Sequence, residues 1–181
     1  MSEFAARLNK AEDILHAQLS GLSDEQFNWK PAADSWSIAQ CILHLVKTNK
    51  GYFSIYDRFV DGTYQPTLWE KIGLLNGMWA KFFINGTDPN NVKKWKAPAV
   101  VQPTKSHIDQ TISGKLLEQN GKFLSYYDKL GNTEHMNRVI SSPLAGFITY
   151  PLSTTFDIVS FHELRHLQQA LRVKNNPKFP N

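Results

Sequence analysis

The chain has 181 residues, 41% hydrophobic and 20% charged, which suits one globular domain spanning residues 1–181. A single cysteine, Cys41, excludes an internal disulfide and fits a reducing compartment. The net charge of +4 is scattered, without the basic stripe and interleaved aromatics of a nucleic-acid binder, and no apolar run approaches the roughly 18 residues of a membrane span. The N-terminal stretch MSEFAARLNKAEDILHAQL is charged and amphipathic and lacks the order of a signal peptide. The expectation is a cytoplasmic protein with no nucleic-acid or membrane partner.

Four segments read as long helices. The first runs from about Glu3 to Leu19, where Phe4, Leu8, Ala11, Leu15 and Leu19 form an apolar stripe spaced by three and four. After a loop broken by Pro31, the second starts near Ser37, with Ser37 and Gln40 as a capping box, and continues to about Asp61 with Gly51 as a weak point. Residues Gly62 to Thr104 form a long connection. Thr67 to Phe83 within it has helical character, and Gly86, Pro89, Pro98 and Pro103 break up its remainder. The third helix spans about Lys105 to Leu130, on the stripe Ile108, Ile112, Leu116, Phe123 and Tyr127, with Gly131 as its C-cap. Asn132 to Pro151 reads as a second loop, and no strand alternation stands out. The fourth helix spans about Ser153 to Val173, with Thr154 and Asp157 as a capping-box start. Four helices with a long crossover describe an all-α, four-helix bundle.

The fourth helix carries FHELRHLQQ, Phe161 to Gln169. Read as a string it is H-E-x-x-H, the zinc-protease pattern. His162 and His166 lie within about 40° of each other on a helical wheel, one turn apart, on a side shared with Thr155, Ile158, Val159 and Gln169. Two imidazoles at that spacing can chelate one cation, and two unrelated core or surface histidines are the plain alternative. A zinc protease of the usual sort finds its third ligand downstream, but LQQALRVKNNPKFPN holds no histidine or acid. The upstream candidate is His44, in the second helix among Ile38, Cys41, Ile42 and Leu45. His16, His107 and His135 sit among charged or loop residues and read as surface histidines.

Two motifs together resemble the DinB-like (YfiT-like) metalloenzyme superfamily. LSDEQFNWKPAADSWSIAQCILHL resembles its leading motif, a proline-containing loop, W-S at the second helix and a histidine in H-L. FHELRHLQQ resembles its closing paired-histidine helix. The resemblance covers nearly the whole chain, although the stretch from Gly62 to Thr104 carries no matching motif. It implies an antiparallel four-helix bundle, often a homodimer, in which three histidines hold a divalent metal. By motif position these are His44, His162 and His166. On that reading the H-E-x-x-H match is incidental.

The imidazole ligands suit zinc, nickel, iron or copper. The resemblance implies a metal-dependent hydrolase or a transferase using a low-molecular-weight thiol on a small-molecule substrate. A non-catalytic metal-binding or stress-related bundle is the alternative. Glu163 is the candidate catalytic base, with a salt bridge as its structural alternative, and Arg165 is the candidate for binding an anionic substrate group, with an ion pair as its alternative. Thr48 and Gln40 flank His44 by a turn each. For Cys41 and Trp36 packing is the stronger reading.

Overall fold

The structure is a computed structural model that describes residues 1–72, 76–91, 93 and 97–181, with Asn76 described by its backbone alone. Among the described residues it is mostly helical, and four long helices occupy the four expected segments. Helix α1 (Glu3–Asp13) is capped by Ser2 and continues as a π-helical turn, Ile14–Gln18. A short helix α2 (Asp24–Asn28) comes next, then the long α3 (Ile38–Val60). Helices α4 (Leu68–Ile72) and α5 (Asn76–Thr87) lie in the crossover. They occupy the region of the expected Thr67–Phe83 helix, of which residues 73–75 lie outside the described residues. Helix α6 (Thr111–Leu130), the strands β1 (Val139–Ser142) and β2 (Ala145–Pro151), and α7 (Leu152–Lys174) complete the chain. Helix α3 packs on α6 and α7, and α1 packs on α7.

Several expectations need correction. Residues 132–151 are not simply a loop: after a 3-10 turn they form an antiparallel hairpin in which Ile140 pairs with Tyr150. The third helix starts at Thr111, not near Lys105. Ile108 reaches the core from the irregular chain ahead of the helix, because the Asn28 side chain brackets it, accepting from its N–H at 2.9 Å and donating to its carbonyl at 3.1 Å. The fourth helix needs no capping box: β2 runs directly into it through Pro151, and the Leu152 N–H donates to the Arg138 carbonyl at 2.8 Å. Asp157 is thereby left to pair with Arg7 of α1. Helix α2 carries a capping box of its own, Ser23 with Gln26. The Ser37–Gln40 box does form, and Gly131 is the C-cap of α6.

The core has two apolar clusters. One gathers Ala11, Ile14, Leu45, Leu116 and Leu167; the other gathers Leu8, Tyr52, Phe123, Phe156 and Val159. Each long helix passes from one cluster to the other. At the crossing, α3, α6 and α7 supply the fully buried polar residues Asn49, Asn120 and Glu163. A polar layer thus divides the core one turn from His44 and next to His162.

Candidate metal centre

His44 stands two turns into α3, whose start is fixed by the Ser37–Gln40 capping box. The same helix face holds down the end of the crossover. The Gln40 side chain donates to the Lys105 carbonyl at 3.0 Å, His44 Nδ1–H donates to the Val101 carbonyl at 2.9 Å, and Lys47 Nζ donates to the Gln102 carbonyl at 2.8 Å. A carbonyl only accepts, so the His44 proton sits on Nδ1 and Nε2 is bare. That Nε2 lies 3.2 Å from His162 Nε2.

On α7 the helical repeat brings His162 and His166 to ring centroids 4.6 Å apart, and His44 lies 4.6 Å from His166 and 5.0 Å from His162. One ring nitrogen from each of His44, His162 and His166 lies within 4.8 Å of the others. His166 Nδ1 meets Gln169 Oε1 at 3.0 Å. The Trp36 ring packs against His44 at 4.9 Å and stacks on His166 at 5.7 Å and 24°.

Burial lowers the basicity of all three imidazoles. For His166 it brings the pKa down to about 3, and for His162 the two neighbouring histidines add to the effect. Neutral imidazole is the form that ligates a cation. The spacing fits too: two nitrogens each about 2.0–2.1 Å from a tetrahedral zinc are about 3.3–3.4 Å apart, close to the 3.2 Å between His44 and His162. The donor set therefore fits a divalent metal of the imidazole-preferring kind.

The other expected site residues are placed differently. Glu163 is fully buried; its Oε1 accepts from Asn49 Nδ2 at 2.9 Å in the polar layer. Burial raises its pKa to about 8, against the opposing pull of the Asn49 hydrogen bond. Arg165 donates to the carbonyls of Asp88 (2.9 Å), Asn91 and Lys93 (2.5 Å). Thr48 donates to the His44 carbonyl at 2.8 Å, within α3. Cys41 is buried in the core, and its thiol is pushed up to about 12 by that burial. His16 and His107 are exposed, while His135 is half-buried against Phe59. Nothing in the sequence marks Val101, whose contribution is a backbone carbonyl. Gln169 was visible on the histidine side of the wheel, but without a role. Trp36 does pack, as expected, and what it packs against is the histidine cluster.

A mostly helical chain that brings three neutral histidines together from two helices defines a helical protein with a histidine cluster of a kind that could hold a metal ion. The chain belongs to the DinB superfamily, whose family model matches residues 7–170. It is similar to the uncharacterized protein YuaE of Bacillus subtilis (strain 168), at 29% identity over 159 residues that cover 87% of this chain and 88% of that protein. No solved structure matches the chain at a significant level. No described helix is long and apolar enough to cross a membrane.

Proposed function

We propose that this protein is a metal-dependent enzyme of the hydrolase or low-molecular-weight-thiol S-transferase kind, built on an antiparallel four-helix bundle and acting as a homodimer on a small-molecule substrate. The observation that carries the reading is the convergence of His44, His162 and His166, with one ring nitrogen of each within 4.8 Å of the others. These three residues would hold the divalent cation, with zinc, nickel and iron as the candidates. When bound, such a cation supplies Lewis acidity, which acidifies a water or a thiol.

The chain's own residues prepare the site. The Val101 carbonyl orients His44, and Trp36 walls the cluster on the His166 side. Arg165, the candidate anion binder, is engaged by crossover carbonyls, so its part in the proposal is to hold the segment that borders any substrate space. Glu163 supports α7 from within the core through the Oε1 that accepts from Asn49, and any proton it transferred would have to leave from Oε2.

The test is metal analysis of protein purified without a histidine tag, then ester, amide and thiol-conjugation assays on the loaded protein. Stoichiometric metal that is lost in both His44→Ala and His166→Ala supports the site; unchanged metal in both variants refutes it. Activity in one assay class, abolished by the same substitutions, identifies the reaction. Full metal with silence in all three classes favours a non-catalytic metal-binding protein.

A further inference from the structure

We propose that Gln169 is a positioning residue: by accepting the Nδ1 proton of His166, it holds that imidazole in the tautomer whose Nε2 is free for the cluster. The inference rests on the three-histidine reading and adds to it a residue that selects the ligating atom.

The geometry is direct. His166 and Gln169 are three residues apart on α7, so their side chains share a face. Gln169 Oε1 lies 3.0 Å from His166 Nδ1. A neutral imidazole carries its proton on one nitrogen only, so a partner on Nδ1 decides what Nε2 can do. An acceptor there places the proton on Nδ1 and bares Nε2. A donor there would place it on Nε2 and block the lone pair. A glutamine amide can serve either way, which makes its orientation consequential.

His44 shows the same arrangement with no ambiguity. Its Nδ1 faces the Val101 carbonyl at 2.9 Å, which can only accept, and its Nε2 faces His162 at 3.2 Å. The cluster therefore has two outer partners of one kind, a backbone carbonyl on α3's histidine and a side-chain carbonyl on α7's. Trp36 completes the set. Stacked on His166 at 24°, it limits rotation of the ring, leaving the tautomer to Gln169. Partners of this sort fix ring orientation and raise ligand basicity, and their loss commonly costs about 10–100-fold in metal affinity.

The experiment uses the full chain with 15N-labelled histidine, in wild type, Gln169→Leu and Gln169→Glu. Long-range 1H–15N spectra of the metal-free protein read the tautomer of each ring, and competition with a chromophoric chelator reads zinc affinity. The expected result is an Nδ1–H tautomer for His44 and His166 in wild type. Gln169→Leu moves His166 toward the Nε2–H form, leaves His44 unchanged, and weakens zinc by about 10–100-fold. Gln169→Glu, which keeps an acceptor, retains the Nδ1–H form and an affinity at or above wild type. A Gln169→Leu protein with wild-type tautomer and affinity overturns the proposal. So does a Gln169→Glu protein that falls as far as Gln169→Leu, because that outcome makes Gln169 a packing residue. If wild type takes up no zinc while the tautomers show the expected pattern, the metal reading fails and the tautomer assignment stands.

Discussion

Asn49 of α3 donates a hydrogen bond of 2.9 Å to Glu163 of α7, and neither residue has any exposed surface. The bond ties together the two helices that carry the metal-ligand candidates. It is also incomplete: Glu163 Oε2, Asn49 Oδ1 and both polar atoms of the Asn120 side chain have no hydrogen-bond partner among the described residues. An ionised carboxylate with one lone hydrogen bond in such a place is costly, so burial favours the neutral acid.

The pH dependence of Glu163 has its origin there. Its folded-state pKa, raised to about 8, lies above the ordinary 4.5, so the folded protein holds this proton more tightly than the unfolded chain does. Its contribution is fully present below about pH 4.5 and is lost as pH rises through about 8, an effect on the order of a few kcal/mol. The buried histidines oppose this below about pH 6.5, so urea midpoints of the metal-free protein should decline between about pH 6.5 and 8, and Glu163→Gln should flatten that decline. A variant with the wild-type slope contradicts the assignment.

The histidine cluster acts in the opposite direction. Burial lowers the folded-state pKa of His166 to about 3 and depresses those of His44 and His162. The unfolded chain then binds more protons below about pH 6.5, and the stability given by neutral histidines is lost as pH falls toward 3. In the metal-free protein the acid limb should be steep, and the variant His166→Gln should make it shallower. Bound metal should leave over the same acidic range, because protons compete for the ligand nitrogens. Parallel denaturation and metal-retention curves check both points.

Arg165 offers a mechanical prediction. Its guanidinium donates to carbonyls at Asp88, Asn91 and Lys93, while Gln40, His44 and Lys47 hold the crossover between 101 and 105 from the other side. Arg165→Ala should free the chain at Asp88, Asn91 and Lys93 and cost about 1.5–3 kcal/mol, the worth of a hydrogen bond to a charged group. Limited proteolysis should then cut this segment faster in the variant, with the α7 secondary structure retained by circular dichroism. Arg165→Lys should rescue only partly, since one ammonium cannot span three carbonyls as a planar guanidinium does.

How much of this was legible in the sequence depended on the kind of signal. The long helices announced themselves through three-and-four spacing, as in Phe4, Leu8 and Ala11, and through the Ser37–Gln40 box. The histidines were visible because a one-turn pair and a lone core histidine are local patterns. The hairpin was missed because β1 is only four residues long and its register shifts at Ser141–Ser142, which interrupts the alternation. The wrong start of the third helix has a similar cause: Ile108 is apolar and buried, but what holds it is the Asn28 side chain, distant in sequence. The Val101 carbonyl had no signal at all, since any residue presents one.

Gly51 shows how such distant packing reverses a local rule. In the middle of α3 it reads as a weak point, and glycine to alanine in a helix ordinarily gains up to about 1 kcal/mol. Here the turn of the hairpin leans on it. A Cβ at position 51 would lie 2.9 Å from Pro143 Cβ and 3.3 Å from Pro143 Cγ. The proline ring is too stiff to move aside, so the hairpin or the helix must shift, at an overpacking cost of about 1–3 kcal/mol. The cost exceeds the gain in helix propensity, and Gly51→Ala should be net destabilising in thermal or urea unfolding. Gly114, on the surface of α6, meets nothing within 4 Å at the same construction, so Gly114→Ala should be stabilising. Opposite signs for these two substitutions would show that α3 is weak at Gly51 to let the hairpin approach; equal gains would show that the hairpin does not press on α3.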